Sequence, residues 1–168
     1  MSSRNATSRK IWQALGIVST IAVSLATTSA ALAGECPADK LGVDVTRPTS
    51  PEAKAPKGLT DTVLSAIDLG KTGSQFAGYQ IRIRKLTIEP GGVVPWHSHS
   101  ARPSNIYIIS GAVTEYRSSC AVPIEHREGD VIAEFGAISH WWRNNTDKTM
   151  VLISADLFHA QMKDDHAM

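Results

Sequence analysis

From Tyr79 onward the chain is cut into short segments whose apolar and polar residues alternate, with Gly, Pro, Asn or Asp between them. Alternation with a period of two is the mark of a strand with one buried face. Tyr79 to Ile88 sets Ile81 and Ile83 against Gln80, Arg82 and Arg84, with Pro90-Gly91-Gly92 read as the stop. Further strands are expected at Val93–His99, Asn105–Ser110, Ala112–Arg117, Val122–Arg127, Asp130–Phe135, His140–Arg143 and Met150–Leu157. Thr60 to Leu69 fits a short strand, with helix left open. Helix signals are otherwise nearly absent, and no internal repeat or low-complexity tract is present. Many short strands at near-regular spacing predict an all-β sandwich or barrel.

The first 33 residues read differently. Arg4, Arg9 and Lys10 precede an apolar run from Ile11 to about Leu25, then small residues ending Ala31-Leu32-Ala33. Basic, apolar, then A-x-A is the layout of a secretory signal peptide, with cleavage expected after Ala33. An uncleaved anchor is the alternative, but Gln13, Gly16, Ser19, Thr20 and Ser24 dilute the run. Glu35 just before Cys36 argues against lipid attachment. The expected location is periplasmic or secreted, with no stable membrane anchor after cleavage.

Removal of 1–33 leaves 135 of 168 residues, with 14 Lys and Arg against 16 Asp and Glu, a formal net charge of −2. That balance gives no support for a nucleic-acid or anionic-membrane partner. The length suits one domain with one core. Residues 34–59 contain Pro37, Pro48, Pro51 and Pro56 and read as an irregular arm. Residues 60–158 form the β domain, and 159–168 a charged tail expected to fray. Cys36 and Cys120 are an even pair, which in an oxidising compartment reads as a disulfide; two unpaired thiols are the alternative.

Two histidines one residue apart, His97 and His99, share a strand face and lie between Gly91 and Gly111. A pair of neutral imidazoles on one face is half of a divalent-metal site. His140 follows about forty residues later. If its strand packs beside the first, three nitrogens converge.

These two glycine-bracketed segments resemble the two motifs of the cupin superfamily. Gly91, His97, His99 and Gly111 fit the spacing of the first; Gly129, His140 and Asn144 fit the second. The resemblance covers roughly residues 60–158. It implies a cupin-type antiparallel β-barrel of double-stranded β-helix or jelly-roll form. It also implies His97, His99 and His140 as ligands of a divalent transition metal (Fe, Mn, Ni, Cu or Zn). Three positions depart from the motifs. Phe135 and Ala137 replace turn residues, and Ser104 stands where such proteins usually have the metal-binding glutamate. A serine hydroxyl is a poor ligand compared with a carboxylate. A neutral three-histidine set resembles that of thiol-dioxygenase-type cupins, which use ferrous iron. Ser104 can hold a water on the metal, and Glu134 can supply the carboxylate if its side chain turns inward.

Around this set, parity puts Trp142 and Asn144 on the His140 face and Trp141 on the other. Arg82 and Arg84 share a face, either lining the pocket as a carboxylate clamp or lying on the solvated side. Tyr107, Tyr116 and Arg117 are further lining candidates. Arg102 is placed at the pocket mouth, His126 reads as exposed, and His159 follows the last strand. No G-x-S-x-G, phosphate loop or CxxC is present, so nucleophilic and nucleotide chemistry have no support. The expected function is an exported metal-binding cupin acting on a small organic molecule by oxygenase-, lyase- or isomerase-type chemistry. The alternative is a non-catalytic module of the cell envelope that holds a small ligand or metal. A homodimer paired through sheet edges is a further expectation.

Overall fold

The computed structural model describes residues 34–42 and 50–161. The expected signal segment 1–33 lies outside the described residues, as does most of the tail. Eight strands follow the arm: β1 (Lys57–Asp68), β2 (Tyr79–Ser98), β3 (Ser104–Ser110), β4 (Ala112–Arg117), β5 (Ile124–Arg127), β6 (Val131–Glu134), β7 (Ser139–Arg143) and β8 (Met150–His159). They make one antiparallel sheet in the order β5-β4-β7-β2-β8-β3-β6, with β1 added beside β2. The sheet curls so that one face encloses the core, as a jelly-roll barrel requires.

The alternation seen in the sequence is the alternation of burial. On β3, Ser104, Ile106 and Ile108 point inward, while Asn105 and Tyr107 face out. Tyr107 is 48 % exposed and so is not a lining residue; parity alone sets it on the outer face. The core is built from Leu86, Ile88, Val94, Ile106, Ile108, Val113, Ile132, Trp142, Met150 and Leu152. Each such buried side chain contributes about 1.5–3 kcal/mol relative to exposure.

Two local expectations are corrected. Pro90-Gly91-Gly92 does not end a strand, because β2 runs through it and changes partner. Tyr79 to Ile88 pairs with β8, and Val93 to Ser98 pairs with β7. Hydrogen bonds from Gly91 N–H to Asn144 O (2.9 Å) and from Asn144 N–H to Gly92 O (3.0 Å) bridge the switch. A Cβ at Gly92 would lie 2.7 Å from the Glu89 carbonyl oxygen, so no larger residue fits this crossing. The ambiguous segment near Thr60 is a strand, β1, which among the described residues pairs only with β2.

Trp141 points away from the barrel interior, as parity requires, yet is 4 % exposed. A short 3-10 turn of the arm, Pro51–Lys54, covers that face, and Ala53, Val93 and Trp141 form a second cluster with Trp96 and Tyr116. Tyr116 stacks on Trp141 at 4.1 Å and is therefore an outer-face residue, not a pocket residue. The arm is also tied down covalently. Cys36 and Cys120 form a disulfide, with Leu41 bridged to Cys120 and Ala121 N–H bonded to Lys40 O at 3.0 Å. Of the two readings of the cysteines, the paired one holds.

Candidate metal centre

His97 and His140 meet because they are register partners across β2 and β7. Along the same ladder, Val94 pairs with Trp142, so three steps on β2 oppose two on β7. The extra residue is a bulge at Pro95-Trp96, a position that tolerates the missing N–H of proline. The bulge changes the parity of β2. Val94 faces the core above it, and His97 and His99 still face the core below it.

Each ring is held from behind. His97 Nδ1 lies 2.8 Å from the Pro95 carbonyl oxygen, and His99 Nδ1 lies 3.0 Å from the Arg102 carbonyl oxygen. A carbonyl only accepts, so both Nδ1 atoms carry the proton and both Nε2 atoms present a bare lone pair. His140 Nδ1 donates to Glu115 Oε1 at 2.5 Å. The indole nitrogen of Trp142 is 3.0 Å from the same atom, but the nearer carboxylate keeps the proton on Nδ1. The three Nε2 atoms are then separated by 2.9 Å (His97–His99), 3.0 Å (His99–His140) and 3.0 Å (His140–His97). All three residues are buried. Glu134 Oε2, from β6, is 3.0 Å from His99 Nε2 and 3.3 Å from Ser104 Oγ.

This donor set fits a cation. Bare lone pairs 3 Å apart, with a carboxylate oxygen among them, repel unless a positive charge sits between them. One proton can serve one such contact but not all of them. Three nitrogens at about 2.1 Å from one ion at right angles lie about 3.0 Å apart; in a tetrahedron they lie about 3.4 Å apart. The observed spacing matches the former.

The electrostatics point the same way. Burial lowers His97 well below the ordinary imidazole range, and the neighbouring His140 adds to it. Burial lowers His99 to about 3, again with His140 adding. Both rings stay neutral and ligand-ready far into acid. Burial also pulls His140 down, but the carboxylates of Glu134 and Glu115 outweigh it and raise the ring above its ordinary value. Burial lifts Glu134, against the charge of His140.

Glu115 is the residue that sequence reading missed. It is fully buried on β4 and touches His140, His126 (Nε2 at 2.7 Å) and Arg117 (two contacts of 2.8 Å). Burial pushes its carboxyl up, but the His140 charge and the bonds from His126, His140 and Arg117 outweigh this and hold it well below the usual range. Among the described residues, a second close group of possible ligands is Glu115, Glu134 and His140. Glu115, however, engages His140 through Nδ1, the side turned away from the other two rings. It orients the His140 ring from behind. The signal in the sequence was alternation alone: Val113, Glu115 and Arg117 share a face on β4.

The remaining candidates sort by contact. A cavity of about 20 Å³ is lined by the three histidines, Glu134, Trp142, Arg84, Ser154 and the apolar Leu86, Val94, Ile106 and Leu152. Trp142 therefore lines it as expected. Ser104 is buried beside His99, its Oγ 3.3 Å from Nδ1. Asn144 does not line it. Its side chain bonds Ile88 O, Lys148 O and the Thr146 backbone, closing the β7–β8 turn. Arg82 does not line it either. It is paired bidentately with Asp156 (2.9 and 2.7 Å) and lies over Phe158. His126, read as exposed, is fully buried because it faces Glu115, and it stacks on Trp142 at 5.2 Å. Arg117 points inward, but its guanidinium is held on Glu115. Arg102 is buried, 4.0 Å from Asp156. His159 packs at a tilt against Tyr79 at the far end of β8.

Residues 84–156 match the family model of the cupin domain, a span that holds all three histidines. The chain carries a cupin domain. The Schizosaccharomyces pombe Cnp3 cupin domain is similar at 10 % identity and a TM-score of 0.48, over 64 % of this chain and 66 % of that one. A double-stranded β-helix protein of Klebsiella pneumoniae is similar at 14 % identity and a TM-score of 0.46, over 62 % and 83 %. The Drosophila melanogaster CENP-C cupin domain is similar at 16 % identity and a TM-score of 0.41, over 46 % and 63 %. This cupin chain thus spans less than two thirds of the fly domain. No curated protein matches it.

Proposed function

We propose that this cupin is an exported protein that binds a divalent transition metal through His97, His99, His140 and Glu134 and acts there on a small organic molecule. The convergence of three Nε2 lone pairs within 3.0 Å of one another carries this reading. The right-angled spacing favours ions of octahedral or tetragonal geometry, such as Fe, Mn, Ni or Cu, over tetrahedral Zn. Glu134 supplies the negative charge that Ser104 no longer can. When bound, such an ion supplies Lewis acidity and, if redox-active, electron transfer for oxygenase-, lyase- or isomerase-type reactions. The chain's own part is to hold three neutral imidazoles and one carboxylate in place and to wall them with Trp142 and aliphatic side chains, which exclude bulk water. Export is supported by the leader-like first 33 residues and by the Cys36–Cys120 disulfide. Homodimerisation is supported by the edge strand β1, whose Val63, Leu64 and Ile67 are all more than half exposed.

The test is metal analysis of untagged protein purified from its own compartment, followed by oxygen-uptake screening under air. One equivalent of metal that is lost in His97→Ala supports the reading. Substoichiometric metal that does not rise on reconstitution overturns it.

The small cavity favours a second reading, a non-catalytic binding module. A space of about 20 Å³ admits water-sized groups but not a whole organic substrate. A retained small molecule in native mass spectrometry, with no turnover of it under air, distinguishes this case.

A further inference from the structure

His126 leaves one polar atom unused. Its Nε2 donates to Glu115 Oε2 at 2.7 Å, so in the neutral ring Nδ1 keeps a bare lone pair. The residue is fully buried, and Nδ1 is enclosed without a hydrogen-bond partner among the described residues. A buried acceptor in this state calls for a donor, and the metal centre supplies none.

What lies against it is Gly34. A Cβ built on this glycine would stand 3.2 Å from His126 Nδ1 and 3.6 Å from Asp130 Oδ2. The three nearest atoms to that point all belong to this imidazole and this carboxylate. Asp130 Oδ2 already accepts the Arg127 N–H at 2.7 Å, and a carboxylate has lone pairs to spare. The point is one bond length from Gly34 Cα, so no water fits there; only a group carried by Gly34 itself can fill it. Gly34 has a φ of +95°, a conformation that glycine adopts freely. The segment is pinned two residues further on, where Cys36 is bonded to Cys120.

Gly34 is also the residue that cleavage after Ala33 makes the first of the mature chain. Hydrolysis of the Ala33–Gly34 peptide bond consumes one water and gives an Ala33 carboxylate and a Gly34 ammonium. Before it, the nitrogen carries Ala33 and a single N–H. After it, the nitrogen carries three N–H donors near neutral pH, since an α-amino group titrates at about 7.7–8.0. It is also free to turn about the Cα–C bond. The N–Cα bond, about 1.46 Å, is nearly as long as a carbon–carbon bond. One tetrahedral step of that rotation therefore puts the ammonium nitrogen where the Cβ would stand. There it reaches the Nδ1 lone pair and lies beside the carboxylate, a charge-assisted pairing on both sides.

We propose that His126 and Asp130 form a docking niche for the chain's own α-ammonium, created when the leader is removed. The proposal rests on the export reading and goes beyond the metal one. Docked, the ammonium closes a line of hydrogen bonds through His126 and Glu115 to Nδ1 of His140, so the mature terminus stands behind the metal centre.

The first measurement is the intact mass and N-terminal sequence of untagged protein purified from its own compartment. A start at Gly34 is expected. A chain that keeps residues 1–33, or that starts elsewhere, removes the occupant and overturns the proposal together with the cleavage it rests on. The second is reductive methylation of the mature protein, folded and in urea, read by peptide mass spectrometry. The Gly34 amine is expected to react at least about tenfold more slowly in the folded protein, the step of one charge-assisted hydrogen bond. The exposed Lys54 and Lys71 serve as internal controls and should react alike in both. Asp130→Asn keeps the shape of the niche, removes its charge and should return most of the lost reactivity, with circular dichroism confirming the fold. An alanine inserted before Gly34 moves the amine by about 3.8 Å and should raise the unfolding equilibrium constant in urea about tenfold. Equal Gly34 rates in folded and unfolded protein overturn the niche and leave export standing. So does full protection in Asp130→Asn, which would mean burial without charge pairing, and so does a urea midpoint unmoved by the inserted alanine.

Discussion

Glu134 stands directly across from Ser104 in the pairing of β6 with β3. The motif position that lacks a carboxylate thus has one beside it, on the neighbouring strand and on the same inward face. Its Oε2 reaches 3.0 Å from His99 Nε2. A carboxylate placed here from the neighbouring strand puts negative charge beside the three rings although position 104 carries none.

Replacing this group tests the exchange. Glu134→Gln keeps shape and removes charge, and is expected to lower metal affinity by about 10–100-fold while the fold is retained. His140→Ala should abolish stoichiometric binding. Competition titration against a chromophoric chelator measures both. Wild-type affinity in Glu134→Gln would return the site to three neutral ligands.

Glu115→Gln should be costly for a different reason. The carboxylate is shared by His140, His126 and Arg117 in a site with no solvent, and an amide cannot accept from all of them. Loss of about 3–5 kcal/mol of stability is expected, since the buried His140 and His126 and the half-buried Arg117 lose their shared charged acceptor. Urea denaturation of metal-free protein reads this directly. A change under 1 kcal/mol would mean that the network relaxes around the amide.

The metal-free protein should lose stability in mild acid. His97 and His99 have folded values far below the unfolded imidazole value of about 6.5. The unfolded chain therefore binds more protons than the folded one between pH 6.5 and about 3, and stability falls as pH drops through that window. Each such proton gives a slope of about 1.4 kcal/mol per pH unit. His140 acts in the opposite sense: its raised value adds stability below the unfolded value, which is lost as pH rises. A proton on His140 also competes with metal, so metal affinity should fall with decreasing pH with a slope near one proton. Stability that is flat from pH 7 to 4.5 in metal-free protein would contradict this assignment.

Reduction of the Cys36–Cys120 disulfide should release the arm. The bond closes a sequence separation of 84 residues, which corresponds to roughly 4.5 kcal/mol in the chain-entropy model. Cys36→Ser with Cys120→Ser is expected to lower stability by about 2–4 kcal/mol and to raise the solvent exposure of Trp141. Acrylamide quenching of tryptophan fluorescence measures that exposure; an unchanged profile would show that Ala53 and the arm stay seated without the bond.

The alternating pattern after Tyr79 was enough to specify an all-β sandwich or barrel, because burial of one sheet face demands a period of two. The spacing of His97, His99 and His140 identified the ring set for the same reason: equal parity on paired strands means one common face. What local pattern leaves open is everything set by partners distant in sequence. The bulge at Pro95-Trp96 and the change of partner at Gly91-Gly92 depend on which strands lie beside β2. His126 reads as exposed, and Glu115 draws no attention, until β4, β5 and β7 are laid side by side. Asn144 and Tyr107, given to the pocket by motif and proximity, belong to a turn and to the outer face. Glu134 was a ligand candidate on condition that its side chain turned inward, and its register with Ser104 is what meets that condition. Periodicity tells which way a side chain points; the tertiary structure alone decides what it points at, because that depends on strands brought together from far apart along the chain.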